Sequence, residues 1–255
     1  MTNPESPTRW IVRLRPRTNA QRRLFCFPFA GGSAHAFHAW PDRIGTDIDV
    51  SAIQLPGRAS RIGEPPLSRI HEIAEPIADS IAALEDHRPF AFFGHSLGAI
   101  IAFEVARSLR ARGRRLPEIF FASGCRAPHL PRTESAIHDL PDDEFTAEIS
   151  RYNGTDAAVF AHPELRQLLL PMLRADFRAA ESYRCEPGTR FSFAIHALSG
   201  RSDSTVELPA VEAWASHTDG AFRLLAYPGG HFFLNESIAP LLDDVRASLV
   251  ALGGR

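Results

Sequence analysis

The feature that most constrains this chain is an abrupt change of pattern at residues 90–103. Four apolar residues, Phe90-Ala91-Phe92-Phe93, lead into Gly94-His95-Ser96-Leu97-Gly98, and Ala99-Ile100-Ile101-Ala102-Phe103 follows at once. A short, large apolar run bounded by glycine reads as a buried strand. Ile100, Ile101, Val105 and Leu109 instead recur at helical spacing and give one apolar face. Gly113 then ends that helix. A strand that becomes a helix within five residues needs a tight turn. Glycines two places either side of Ser96 remove the side chains that would collide in it.

The same alternation recurs along the chain. Strand-like runs lie at residues 24–28, 48–55, 90–94, 118–123, 191–198 and 222–227, with helix-like stretches at 70–85, 97–112, 206–216 and 237–252. Strand, helix, strand repeated in this way predicts an α/β fold, a mostly parallel central sheet with helices on both faces. A length of 255 residues suits a single domain over 1–255. One segment breaks the pattern: from about 126 to 185 no strand is convincing, whereas 142–152 and 163–183 read as helices. That is too long for a loop, so a helical lid inserted between two sheet strands is expected.

Composition excludes several function classes. Net charge is −2, which gives no basis for nucleic-acid binding. Every one of the 28 basic residues is arginine. Arg9, Arg13, Arg15, Arg17, Arg22 and Arg23 make the N-terminal region locally basic and read as a solvated edge. MTNPESPTRW is not of signal-peptide type and no stretch approaches the ~18 apolar residues of a membrane span. A cytoplasmic protein with no membrane partner is the expectation. Cys26, Cys125 and Cys185 lack metal-ligand spacing, so no metal is expected; Cys26 and Cys125 read as buried thiols.

A serine raised on a strand-to-helix turn is the arrangement of a nucleophile elbow. Its hydroxyl reacts only if a base takes its proton and an acid orients the base. In folds with this elbow the order along the chain is Ser, then Asp or Glu, then His. The strand at 191–198 runs into Ser199-Gly200-Arg201-Ser202-Asp203, and the strand at 222–227 runs into Pro228-Gly229-Gly230-His231. Ser96, Asp203 and His231 therefore stand at three strand ends in the required order. For Asp203 alone, capping a helix near Val206 competes with this role. The segment 123–127, where some related sites carry the acid, offers none. His196 falls within a strand and His35, His38 and His217 on helix-like segments. His95 is expected to be turned away from its neighbour Ser96.

The oxyanion that forms on acyl transfer needs donors already aimed at it. The backbone N–H of Leu97 is one. The loop Phe27-Pro28-Phe29-Ala30-Gly31-Gly32-Ser33 supplies the other, from Ala30 or, next to it, Phe29. The loop has neither the G-x-x-x-x-G-K-[ST] nor the G-x-G-x-x-G spacing of a phosphate cradle.

With LFCFPFAGGSA (residues 24–34), QLPGR (54–58), FFGHSLGA (92–99), LPMLRADF (170–177), LSGRSD (198–203) and GGHFFL (229–234), the chain resembles the type II thioesterases. These are stand-alone α/β-hydrolases that accompany modular polyketide and nonribosomal peptide synthases. The resemblance runs over nearly the full length. It implies an α/β-hydrolase fold with a helical lid, and Ser96, Asp203 and His231 as catalytic triad. It also implies hydrolysis of acyl groups from the phosphopantetheine arm of acyl or peptidyl carrier proteins. That arm belongs to the substrate, so no separate cofactor is implied. Carrier proteins present acidic surface, and Arg58, Arg61, Arg126 and Arg132 are candidates for a complementary rim, each also readable as ordinary solvated surface. Arg174 and Asp176 of LRADF are expected in lid packing rather than chemistry. Phe145, Tyr152, Phe160, Leu168 and Met172 read as lid core or pocket wall. A monomer is the expectation. Rival readings are a carboxylesterase or lipase, a medium-chain fatty acyl-carrier thioesterase, and a non-hydrolytic acyl shuttle.

Overall fold

The computed structural model describes residues 9–132, 134–151, 160, 162–186 and 188–252. Its strands are β1 (Ile11–Arg13), β2 (Arg22–Phe27), β3 (Ile48–Ile53), β4 (Phe90–His95), β5 (Ile119–Ser123), β6 (Ala194–Gly200) and β7 (Phe222–Tyr227). They form one sheet in the order β1-β3-β2-β4-β5-β6-β7. Neighbours run parallel, except that β1 lies antiparallel to β3 at one edge. β3, β4 and β5 are buried at every residue. Strands covered on both faces have no reason to alternate, which is why they show as unbroken apolar runs.

Consecutive side chains still point to opposite faces. Phe25, Phe27 and Phe92 pack with α1 (Ile70–Ala82) and α2 (Leu97–Ala111). Leu24, Cys26 and Phe93 pack on the other side with Phe37, Trp40 and Leu241. Between β5 and β6 the chain forms α3 (Asp142–Ser150) and α4 (Pro163–Ser182). Phe145, Ile149, Leu170, Met172 and Leu173 give these helices a small core of their own. Phe160 packs against it, Leu168 is exposed, and Tyr152 lies outside the described residues. After β6 come α5 (Leu208–Glu212), which tightens into a 3₁₀ turn (Ala213–His217), then α6 (Phe233–Glu236) and α7 (Ile238–Ala251).

Three features differ from the sequence reading. β1 is only three residues long, too short to carry a periodic signal. β6 begins later than residue 191 and runs to Gly200; Phe191 makes an isolated bridge to Thr218 instead. The basic N-terminal region is not a simple solvated edge. Arg13, Arg23 and Arg88 all donate to the buried Asp49 carboxylate, at 3.0, 3.0 and 3.2 Å. Cys26 and Cys125 are buried and Cys185 half-buried, all as free thiols. No described helix is long and apolar enough to cross a membrane.

His196 sits on β6 with Nδ1 3.3 Å from the Ser248 hydroxyl, and burial pushes its imidazole down to about 4. An unfolded histidine titrates near 6.5, so unfolding at pH 5 takes up a proton here. The stability contributed is complete above pH 6.5 and is lost as pH falls towards 4. Thermal unfolding measured from pH 7 to 4 should show a falling midpoint, and His196→Gln should flatten that fall. An unchanged slope in the variant would remove His196 from the account.

Candidate active site

Ser96 separates β4 from α2 with φ 53° and ψ −120°. A positive φ at a residue other than glycine costs on the order of 1–3 kcal/mol and persists only where the surroundings impose it. Here they do. A Cβ at Gly94 would lie 2.4 Å from the carbonyl oxygen of Gly98, and one at Gly98 only 2.1 Å from that of Phe27. The Ser96 N–H donates to the Ser123 carbonyl at 2.8 Å, fastening the turn to β5. The elbow expected from GHSLG is therefore present, with each glycine required by backbone contact.

The later end of β6 matters for Asp203. A Cβ at Gly200 would stand 2.2 Å from the Gly230 carbonyl oxygen, so this glycine lets the loop bearing Asp203 lie directly against the one bearing His231. The two Asp203 oxygens then do different things. Oδ1 accepts from the N–H and hydroxyl of Thr205, at 2.8 and 2.7 Å, and from the N–H of Val206 at 3.2 Å. Oδ2 lies 2.8 Å from His231 Nδ1. No helix begins near Val206 for Asp203 to cap: α5 starts at Leu208 with Glu207 at its N-cap, so this carboxylate closes the turn at Thr205 and Val206 and also faces His231. The Asp203 and His231 side chains are 1% and 4% exposed. Burial alone would raise the Asp203 carboxyl, but the hydrogen bonds from His231 and Thr205 outweigh it and hold the group below its ordinary value. A carboxylate facing Nδ1 assigns the ring proton to that nitrogen and leaves Nε2 as the acceptor.

Ser96 and His231 line two cavities. The smaller, about 100 Å³, is walled by Phe29, Ala30, Leu97, Leu173 and Phe177. It thus brings together the three residues expected to supply oxyanion donors. The larger, about 650 Å³, extends past Ile100, Leu130, Ile137 and Tyr183 to Arg126 and Arg132. Of the insertion residues singled out in the sequence, Phe145, Phe160, Leu168 and Met172 line neither; Ile137, Leu173 and Phe177 do so instead.

Several expectations change. Arg58 and Arg61 are 4% and 5% exposed and cannot form a rim. Arg58 is paired with Asp176 at 2.6 Å and Arg61 with Glu64 at 2.7 Å. Arg174, by contrast, packs within the 126–185 segment as expected, donating to the His138 carbonyl and Asp142. His95, expected to be structural or a pocket wall, has its ring centroid 5.2 Å from that of His231. It is fully buried with Nδ1 2.9 Å from the Ser123 hydroxyl, and burial pushes its imidazole well below the ordinary value, with His231 adding to the effect. It is thus a neutral wall beneath His231. Thr205 was not foreseen: its hydroxyl touches both Asp203 and His231 Nδ1, the latter at 2.9 Å. Among the described residues, no group of three or more His, Cys, Asp or Glu side chains is placed to hold a metal.

Residues 22–249 match the thioesterase domain family. The gramicidin S biosynthesis protein GrsT of Aneurinibacillus migulanus is 41% identical over 95% of this chain and 94% of its own length. Thioesterase PikA5 of Streptomyces venezuelae is 40% identical over 96% of this chain and 87% of its own. Among solved structures, the type II thioesterase BorB from the borrelidin biosynthetic cluster superposes with a TM-score of 0.85 at 40% identity. It covers 95% of this chain and 98% of that one. The sheet order and covering helices described above are those of the α/β-hydrolase fold that these thioesterases share.

Proposed function

The chain belongs to the thioesterase family, and on that premise we propose how its site works and on what. The substrate is an acyl group on the phosphopantetheine arm of an acyl or peptidyl carrier protein, removed when an intermediate on a modular polyketide or nonribosomal peptide synthase is stalled or wrongly primed. Ser96 is the nucleophile, His231 the general base and Asp203 the acid that orients it.

The observation that carries this reading is the hydrogen bond between His231 Nδ1 and Asp203 Oδ2, made at the wall of the cavities that Ser96 lines. In the first half-reaction the Ser96 oxygen attacks the thioester carbonyl carbon while His231 Nε2 takes the hydroxyl proton. The oxyanion is held by the N–H of Leu97 and one from Phe29 or Ala30. Collapse breaks the carbon–sulfur bond, and His231 returns the proton to the departing thiolate. A water then gives its proton to His231 and attacks the acyl-enzyme, releasing the acid and restoring Ser96. Every proton in this cycle moves through His231.

The insertion carrying α3 and α4 acts as a lid, as part of one domain. The larger cavity accepts the arm, and Arg126 and Arg132 beside it suit an acidic carrier. The protein works as a monomer in the cytoplasm, where its synthase partner is made. The test compares kcat/KM for an acyl-carrier thioester, the corresponding acyl-CoA and a p-nitrophenyl ester of the same acid. The carrier thioester should be favoured at least tenfold. Strong ester turnover with negligible carrier turnover would make the protein an esterase. Activity confined to medium-chain fatty acyl carriers would place it with a fatty acid synthase.

A further inference from the structure

Three stretches far apart in the chain meet at one buried ion pair. Arg58, at the end of QLPGR, donates both terminal nitrogens to Asp176 of LRADF, at 2.6 Å to Oδ2 and 2.8 Å to Oδ1. The two side chains are 5% and 1% exposed. The third stretch is the FPFAGG loop: Asp176 Oδ2 also accepts the N–H of Gly31 at 2.7 Å, and Arg58 donates to the carbonyls of Gly32 and Pro56 at 3.3 and 3.2 Å. Gly31 has φ +78°, and a Cβ there would come within 2.8 Å of Leu173 on α4. Helix α4 is thus pressed on the loop at the residue directly after Ala30.

Stability is a weak reason for such a pair. Exchanging a buried ion pair for apolar groups of similar volume is often neutral or stabilising. What apolar groups cannot do is accept the Gly31 N–H. Fixing that amide fixes the peptide planes just before it, which carry the candidate donors of Phe29 and Ala30. We infer that Asp176, itself held by Arg58, is a positioning residue that aims the oxyanion donors of this loop and makes turnover depend on the seating of α4. The inference rests on the proposed serine mechanism and adds to it a pair that touches no substrate.

The experiment uses two double variants of the full chain. Arg58→Met with Asp176→Leu removes both charges and the acceptor. Arg58→Met with Asp176→Asn removes the charges but keeps an oxygen for Gly31. Each is measured for thermal unfolding, p-nitrophenyl acetate kinetics and the rate at which a fluorophosphonate labels Ser96. The first should fold, lose about 10- to 100-fold in kcat and labelling rate, and change KM by less than about threefold. The second should recover to within about threefold of the original chain. Wild-type kcat in the folded first variant overturns the inference, as does an equal loss in both. If the first does not fold, a folded second variant with less than about a tenth of the wild-type kcat overturns it. Absence of labelling at Ser96 in the unaltered chain would instead strike the serine mechanism itself.

Discussion

Ser96→Ala should lower turnover of an acyl-carrier thioester on the order of 10⁴-fold or more while leaving the fold intact. The loss is large because alanine has no oxygen with which to form the acyl-enzyme bond. The residue that remains is tolerated because the strained φ of 53° is imposed by contacts at Gly94 and Gly98 rather than by the hydroxyl. Residual rate comes from the oxyanion donors and the cavity, which the substitution spares. The measurement is single-turnover release of the acid, together with mass spectrometry after fluorophosphonate treatment. A variant that still labels in the Gly94–Gly98 peptide, or hydrolyses within tenfold of the original chain, would remove Ser96 as nucleophile.

Asp203→Asn is expected to cost on the order of 10³- to 10⁴-fold in kcat, although the side chain keeps its shape. The reason lies in how the two oxygens are used. Two backbone N–H groups and the Thr205 hydroxyl converge on Oδ1 and need an acceptor there. The asparagine oxygen takes that place, which leaves its NH₂ facing His231 Nδ1. A donor at Nδ1 forces the ring proton to Nε2, and the imidazole can no longer accept from Ser96. The loop stays satisfied, so unfolding should shift little while kcat falls and KM holds. Steady-state kinetics beside a thermal scan separates the two effects. A variant within tenfold of the original kcat would show that Asp203 does not set the tautomer.

The positions of Ser96, Asp203 and His231 were legible because each follows a strand and sits among glycines whose local purpose is readable. The parallel sheet was legible for a similar reason: strands buried on both faces leave unbroken apolar runs. Contacts made only by the tertiary fold were not. Thr205 touches two triad candidates, yet nothing in its neighbourhood distinguishes it from a turn residue. Arg58 and Asp176 are 118 residues apart, and an arginine after a glycine in a loop reads as solvated unless its partner is known. His95 was expected to turn from its neighbour Ser96 and to be structural or a pocket wall. The elbow does turn it from Ser96, but packing at Gly124 and Phe232 brings its ring beneath His231 instead.

The three guanidiniums gathered on Asp49 are not where the molecule yields to alkali. Lysine ammonium groups begin to lose their charge near pH 10, whereas guanidinium keeps its proton beyond pH 12, and this chain has no lysine. Its ion pairs therefore hold as base is added. What yields first is uncharged. Burial raises the Cys26 thiol and pushes Cys125 up to about 12, while an unfolded thiol ionises near 8.5. The stability these thiols contribute is complete below that pH and drains away as it is exceeded. Burial raises the Tyr183 and Tyr227 phenols in the same way, so the fold's response to alkali begins at neutral groups in its interior and not at the charged edge of the sheet.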